Sequence, residues 1–406
     1  MVLNYRKKYE VVVAGAGIAG VAAALAAARR GHKVALVEKQ TLIGGLATAG
    51  LIYVYLPLCD GNGTQVTFGI AEELLKRSLK YSPFDLPEAW GGRKNGNYGC
   101  GRIRYMCRFS PAGFTLALEE ALKEAGVDLW LDTLICASQT ASDRTVTGLE
   151  VENVSGRGLL EAGCFVDATG DATVIRRAGG AFETSENYRT PWIMESAPDT
   201  TLYPVVDSIH IQCLGEWSKE FEVENALDSR TVTDFTRGSW AMARKAYDDA
   251  YASGKCDRYH NFPIHLPAMP QFRKIARIKG IETLRSGQEW TSFDSSVGLC
   301  ADWRRGGLVW ETPFGTLVPE DVRGVFAAGR CTGTDGDAWE IFRVIPAAAM
   351  TGEIAGTAAS LAVEKKLDGV ELDVDSVRAE LRKNGFKFHF EELGLRRGNA
   401  TLGATP

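Results

Sequence analysis

The sequence has no Cys-x-x-Cys pair, no clustered histidines, no excess of positive charge and no apolar run of membrane-spanning length. Each absence removes a class of function. The nine cysteines, at 59, 100, 107, 136, 164, 213, 256, 300 and 331, are odd in number and scattered. The nearest two, Cys100 and Cys107, have six residues between them, a spacing that suits neither a zinc site nor a thioredoxin-like redox pair. No metal is expected, and reduced thiols in a cytoplasmic protein are the economical reading. Lys and Arg number 46 against 51 Asp and Glu, for a net charge of −5. Nucleic acids and anionic membranes need a concentrated basic face, so neither is an expected partner. The short basic run of Arg102, Arg104 and Arg108 suits a solvated face or a single phosphate contact. Gly, Glu or Arg interrupts even the alanine-rich stretches, so no membrane insertion is expected. Met1–Lys8 is polar and basic without an apolar core, unlike a signal peptide.

What is present begins at Glu10. Val11–Ala14 is an unbroken apolar run that suits a strand buried on both faces. Gly15, Gly17 and Gly20, with Ala16, Ile18 and Ala19 between them, then form G-x-G-x-x-G. Val21–Arg30 is an alanine-rich helix, Lys33–Val37 a second strand, and Glu38 closes the unit eighteen residues after Gly20. Gly15 permits the sharp turn, Gly17 lets backbone approach a pyrophosphate, and Gly20 lets the helix pack close to the sheet. The helix N-terminus offers amides and a positive dipole end to the phosphates. Glu38 can accept both ribose hydroxyls and would repel a 2′-phosphate. Strand, glycines, helix and acid in this order indicate an adenine dinucleotide. The fingerprint occurs once, so a second tightly held nicotinamide domain is not expected.

Further along, Ile43-Gly44-Gly45-Leu46-Ala47-Thr48 places paired glycines soon after the ribose acid, which fits a flavoprotein better than a nicotinamide domain. A helix is expected from about Ile70 to Lys80, a long Pro- and Gly-rich loop over 82–101 that could serve as a lid, and an amphipathic helix over Pro111–Ala125. Val127–Leu131 and Leu134–Ala137 read as strands, followed by a hairpin over 145–158 running into one strand, Leu159–Val166. Phe165–Asp171 is an apolar strand entering a glycine turn with an acid. Between about 182 and 310 the texture turns aromatic and polar, with six of the nine tryptophans, a strand at Ile209–Leu214 and a helix at Thr233–Ser253. Gly324–Cys331 is a late strand ending in glycine, Thr334–Arg343 a polar-aromatic loop, and Pro346–Val363 a helix. Gly352, Gly356 and Ala359 share a face of it, which predicts close helix–sheet packing. Residues 366–406 read as a charged terminal helix and tail.

Together these segments resemble the FAD-dependent oxidoreductase family that sits beside the fumarate reductase and succinate dehydrogenase flavoproteins. The matching stretches are Gly15–Gly20 with Glu38, Ile43–Thr48, Val166–Asp171, Phe272–Gly280, Val325–Cys331 and Arg343 through Ala359. The resemblance implies an α/β fold of glutathione-reductase type: a Rossmann-type FAD-binding domain, with a parallel sheet and a small antiparallel hairpin sheet, and a discontinuous α+β substrate domain. The FAD-binding part would comprise 1–55, 102–181 and 311–365, the cap 56–101 and 182–310, and 366–406 a C-terminal helix and tail. Glu38 and Lys39 would then meet the adenosine ribose, and Gly44, Gly45 and Leu46 the pyrophosphate-to-flavin side. Ile135 would meet adenine, Gly170 and Asp171 would form a second loop, and Gly329 and Arg330 would lie at the ribityl chain. Arg330 stands where many flavoproteins carry an aspartate. Relatives with covalent flavin use a histidine after the second strand. His32, His210, His260, His265 and His389 all lie elsewhere, which implies dissociable FAD.

The expected reaction is hydride transfer between a small molecule and FAD. The N-terminus of the Pro346 helix, with amides around Ala347–Ala349 and Ala348 at the cofactor, would stabilise charge on the reduced ring. His265, His210 and Glu340 are candidates for the accompanying proton transfer, and Arg273 and Arg343 for anion anchors. A flavin monooxygenase would show a further Asp-Gly motif and an aspartate in the late loop. A tRNA-modifying flavoprotein would want a basic face, and a non-catalytic FAD-binding or redox-sensing module would not need the large 182–310 segment. Substrate, direction and electron partner stay open, as does a homo-oligomer.

Overall fold

A computed structural model describes residues 3–94, 96, 104–197, 204–206, 209–214, 222–223 and 225–397. Cys100, Arg102, Trp217 and most of 95–101 in the long loop lie outside the described residues. The chain begins with β1 (Tyr5–Lys8), β2 (Val11–Ala14), α1 (Ile18–Arg29) and β3 (Val34–Val37). A small pair, β4 (Val54–Tyr55) and β5 (Cys107–Arg108), brackets α2 (Ile70–Ser78). Then come α3 (Pro111–Glu124), β6 (Asp128–Trp130), β7 (Leu134–Thr140), β8 (Val146–Asn153), β9 (Gly156–Glu161), β10 (Cys164–Asp167) and α4 (Thr173–Arg177).

The second half opens with β11 (Phe182–Thr184), β12 (Asn187–Tyr188), β13 (Trp192–Ser196), β14 (Pro204–Val206), β15 (Ile209–Cys213) and β16 (Glu222–Val223). Helix α5 (Ser229–Ala252), β17 (Phe262–His265) and β18 (Ala276–Ile278) follow, then a hairpin of β19 (Ser296–Ala301) and β20 (Val309–Pro313). The last elements are β21 (Val325–Ala327), α6 (Asp337–Phe342), α7 (Ile345–Lys365) and α8 (Val374–Arg382).

The centre is a parallel sheet in the order β21-β10-β2-β3-β6. Its strands are apolar on both faces because both faces are covered. Val11 and Val13 point into one core with α1, α2, α3 and α7, whereas Val12 and Ala14 point into another with the hairpin sheet and α4. That alternation follows from the two-residue period of a strand. The second sheet has the order β1-β9-β8-β7, its hairpin antiparallel as expected and β1 added in parallel at the edge. The stretch expected as one strand, Leu159–Val166, is divided: β9 stays with the hairpin and β10 joins the parallel sheet.

The small residues of α7 serve a different contact from the one expected. A Cβ on Gly352 would lie 2.2 Å from the Ala19 carbonyl oxygen, and one on Gly356 2.2 Å from that of Ala23. The close approach is therefore between helices, α7 on α1. Gly356→Val is expected to lose on the order of 3 kcal/mol of stability, because backbone cannot move aside as a side chain can. A wild-type urea midpoint for that variant would refute the contact.

A four-stranded antiparallel sheet, β14-β15-β13-β17, carries α5 and forms the outer body. Asp228 caps α5 by accepting from the Thr231 amide at 2.7 Å, so the helix starts four residues before Thr233. Phe235, Ser239, Ala243 and Tyr247 form its buried stripe. Helix α2 packs against α3 and α7, and the β19–β20 hairpin against α6, α7 and α8. The expected loop at Thr334–Arg343 contains α6, and its Ala338, Trp339, Ile341 and Phe342 are buried. The terminal region is also fastened down: Phe386, Phe388 and Phe390 are buried, and Ser296 Oγ donates to the Phe388 carbonyl at 2.6 Å.

Candidate active site

A cleft opens at the carboxyl ends of β2, β10 and β21, where the loops after the three strands meet the N-terminus of α7. The three fingerprint glycines do separate jobs there. Gly15 has φ +89°, and a Cβ on it would sit 2.8 Å from the Ala168 carbonyl oxygen. A Cβ on Gly20 would lie 1.8 Å from the Gly15 carbonyl oxygen. Gly17 alone faces open space, with nothing within 4 Å, and it lines the cleft. Ala16 and Gly20 shape the turn without lining the cleft, unlike Ile18 and Ala19, which line it.

Glu38 also lines the cleft while holding the turn together. One carboxylate oxygen accepts from the Ala16 amide at 2.8 Å and the other from the Gln40 amide at 3.0 Å. Burial raises the Glu38 carboxyl above its ordinary range, opposed by these two amides. Lys39 is beside it in the cleft wall. The loop carrying Gly44, Gly45 and Leu46 is tied to the fingerprint by the Gly44 amide, which donates to the Ala16 carbonyl at 2.7 Å. All three residues line the cleft.

The third loop depends on Asp167, a residue whose role the sequence reading missed. Its carboxylate is fully buried and accepts from the Val174 and Ile175 amides at 2.8 and 3.1 Å, capping α4. Its other oxygen accepts from Thr169 Oγ1 at 2.6 Å. Burial pushes its carboxyl up to about 6. These bonds set the turn that presents Gly170 and Asp171 to the cleft. In the fourth loop Gly329 adopts φ +72°, and Arg330 crosses to the outer body, donating to the Phe272 carbonyl at 2.6 Å. Both line the cleft.

Helix α7 brings Ile345 and Ala348 to the wall. The Ala348 amide is already bonded to the Val344 carbonyl at 2.8 Å, and Pro346 has none to offer. Of the amides expected from Ala347–Ala349, that of Ala348 is thus taken up within the helix, and Ala348 contributes only surface to the wall. Ile135 is buried in the second core, its carbonyl bonded to Arg177, and does not line the cleft.

The outer body closes the opposite side through Ala226, Val232, Met269, Pro270, Phe272 and Ile275. The strap from Leu266 to Ile275 is bonded to the cofactor-side loop: the Ala268 amide donates to the Ala49 carbonyl at 2.8 Å, and Gln271 Nε2 to the Gly50 carbonyl at 2.6 Å. Gln271 Oε1 accepts from the Trp192 amide at 2.8 Å, so this buried side chain joins both bodies. Its only trace in the sequence is a lone amide within an apolar stretch.

Of the five proton-transfer and anion candidates, three meet at one place. Arg343 lines the cleft and pairs with Glu340 at 2.5 Å, and Glu340 pairs with Lys274 at 2.9 Å. Burial alone would raise the Glu340 carboxyl, but Arg343 and Lys274 outweigh it and hold it below the ordinary range. Glu340 is thus a carboxylate at neutral pH and a partner of cations. Burial, then the charges of Arg343 and Arg330, push Arg273 down to about 9, so it remains a cation. The two histidines are elsewhere. His265 is exposed on β17, and His210 is buried within the outer sheet, where Nε2 meets Glu195 Oε1 at 2.7 Å and Tyr247 donates to the same carboxylate at 2.7 Å. Neither lines the cleft.

Comparison with known proteins decides the class. A family model described as FAD dependent oxidoreductase matches residues 10–282 and 291–381. The chain belongs to this family. Among solved structures, the FAD-dependent oxidoreductase described here is similar to the p-nitrophenol 4-monooxygenase PnpA of Pseudomonas putida DLL-E4. The TM-score is 0.50 and the identity 14%, covering 93% of this chain and 89% of that one. A geranylgeranyl bacteriochlorophyll reductase-like protein of Thermoplasma acidophilum aligns at TM-score 0.49 and 14% identity, over 94% and 84% of the two chains. A flavocytochrome c3 fumarate reductase in its open conformation aligns at 0.42 and 15%, over 88% and 79%. At such identities the likeness concerns fold. No curated protein matches the sequence.

The residues present fit FAD. Gly17 leaves open space at the turn, where a pyrophosphate would pass, Glu38 lines the same cleft, where it would meet a ribose, and the loops after β10 and β21 continue the wall toward α7. Among the described residues no helix is long and apolar enough to cross a membrane.

Proposed function

We propose that this FAD-dependent oxidoreductase transfers a hydride between a small molecule and non-covalently held FAD, with the substrate between the cofactor and the outer body. The observation that carries this reading is the position of Arg343. It stands in the cleft wall one residue before the N-cap of α7, facing strap residues of the outer body. FAD, when bound, supplies the hydride acceptor or donor. The chain's own contribution is electrostatic and geometric. The first turn of α7 directs amides and a positive dipole end into the cleft, where negative charge develops. Arg343, held rigid by Glu340 and Lys274, orients an anionic group on the substrate. Met269, Pro270 and Phe272 keep bulk water from that side.

The working division is a cofactor body and a cap made chiefly of β12 to β17 and α5, with α2 and the β19–β20 hairpin on the cofactor body. Dissociable FAD is supported by the cleft lining, in which no described residue is a histidine. A cytoplasmic setting is in keeping with the thiols of Cys59, Cys136, Cys164, Cys256, Cys300 and Cys331, which are free. The purified protein is expected to be yellow and to bleach with dithionite, and acid precipitation should leave the flavin in the supernatant. Colour retained in the acid pellet would overturn non-covalent binding. A protein that takes up no FAD would overturn the whole proposal.

A further inference from the structure

The loop that brings Gly44, Gly45 and Leu46 to the cleft ends in a turn its sequence does not favour. Leu51 sits there in the left-handed region, at φ +57°. Glycine takes that conformation freely, whereas a residue with a Cβ takes it at a cost. Leucine stands at 51 because its side chain fills the main core, where it is 1% exposed. The backbone of the turn must therefore be held by its surroundings.

The peptide unit between Gly50 and Leu51 sets φ of Leu51, and both of its polar ends are bonded. The Leu51 amide donates to the Thr48 carbonyl at 3.0 Å, within the loop. The Gly50 carbonyl accepts from Gln271 Nε2 at 2.6 Å, from the strap of the outer body. Turning this peptide out of the left-handed conformation would break both bonds. Gln271 is itself fixed from behind, with Oε1 accepting from the Trp192 amide at 2.8 Å and Nε2 also donating to the Trp192 carbonyl at 3.2 Å. Ala268 adds two more ties: its amide donates to the Ala49 carbonyl at 2.8 Å, and its carbonyl accepts from Gln40 Nε2 at 3.1 Å. On the other side the turn is joined to the cleft wall. The Gly50 amide donates to the Gly45 carbonyl at 3.1 Å, and the Ile52 amide to the Leu46 carbonyl at 2.9 Å. Gly45 and Leu46 line the cleft, and Gln271 does not.

We propose that Gln271 is a positioning residue for FAD. From the outer body it holds the Gly50–Leu51 peptide in its left-handed turn, and through that peptide the Gly45 and Leu46 wall, without touching the cofactor. Loop and strap then open as one unit. This rests on the reading of the cleft as the FAD site.

The test starts from the FAD-loaded full chain. Dilution, followed by the rise in free-flavin fluorescence, gives the FAD dissociation constant, and displacement by AMP gives the affinity for the adenosine end alone. Gln271→Met keeps the length of the side chain and removes its bonds to Gly50 and Trp192. FAD should bind roughly tenfold more weakly, as expected when a buried carbonyl loses its partner. AMP should bind within about twofold of wild type, since the adenosine end shares no partner with Gln271. In the wild-type holoenzyme, hydrogen exchange should give the Gly50 and Ile52 amides the same opening free energy as the Ala268 amide. This comparison needs no variant, so it decides the matter even where Gln271→Met does not fold. Unchanged FAD affinity, an equal loss for FAD and AMP, or separate opening of loop and strap would each overturn the proposal. Failure of the cleft reading is distinguishable from all three, because the wild-type protein would then bind no FAD.

Discussion

Gly17→Val is expected to fold normally and to be purified without colour. Gly17 has φ −65°, which any residue adopts, and a Cβ there meets no protein atom within 4 Å. Its branched methyls would instead occupy the only open face of the fingerprint, where the pyrophosphate must pass. An overlap of that kind costs about 3 kcal/mol, or roughly a hundredfold in FAD affinity. Gly20→Ala, three residues away, should behave in the opposite manner. Its added Cβ would lie 1.8 Å from a carbonyl oxygen of the turn, so folding fails before binding can be measured. The check is thermal unfolding by circular dichroism alongside flavin absorbance per mole of protein. A yellow Gly17→Val protein with wild-type stoichiometry would show that the cofactor takes another path.

The second large effect is one of stability. Glu353, on α7, is fully buried, with one oxygen accepting from the Ile70 amide at 2.6 Å and the other from Asn384 Nδ2 at 2.7 Å. Burial pushes its carboxyl from the ordinary 4.5 up to about 7, partly offset by those bonds and by Arg29, and reinforced by Glu73. The native state therefore keeps a proton through a window in which the unfolded chain has released it. Its contribution is complete below about pH 4.5 and is lost as pH rises through about 7. Glu353→Gln keeps the shape and can satisfy both partners once the Asn384 amide turns over. It should be about 3 kcal/mol more stable than wild type at pH 8, and close to it at pH 4.5. Urea unfolding at the two pH values measures the difference. Equal midpoints at pH 8 would mean that the carboxyl ionises at no cost.

The cofactor side was legible in the sequence because its physics is local. Val11–Ala14 and Cys164–Asp167 announce themselves as strands by apolar runs, and their loops by glycines at fixed offsets. Strand β1 was not legible, since Arg6, Lys7 and Lys8 are exposed and carry no apolar signal. Helix α6 was hidden by the Gly333–Asp337 cluster ahead of it, although Ala338, Trp339, Ile341 and Phe342 already had helical spacing. Phe386, Phe388 and Phe390 alternate in the terminal region and offered a sign of burial that its charge obscured. Among the candidate site residues, Arg343 lies in the cleft wall, whereas Arg273, His210 and His265 do not line it. Arg343 follows a cofactor-side loop in sequence, so its place could be inferred. The position of His210 or His265 depends on how an outer sheet folds back over the cleft, which no local pattern encodes. Gln271 and Asp167 act by bonding to backbone elsewhere in the chain, and residue identity alone does not reveal such partners.

The order of strands in the central sheet has a consequence for the birth of the protein. Its five strands come from residues 11 to 327, and the cleft is completed by Ala348. A ribosome that has made the fingerprint has made only one wall of the cofactor site, because the loops at Gly170 and Gly329 and the first turn of α7 are still unmade. At about 5–20 residues per second, roughly 15–70 s separate the first wall from the last. Flavin capture is thus a late event in synthesis, and until then the growing chain must keep the buried strands Val11–Ala14 and Cys164–Asp167 from pairing with anything else.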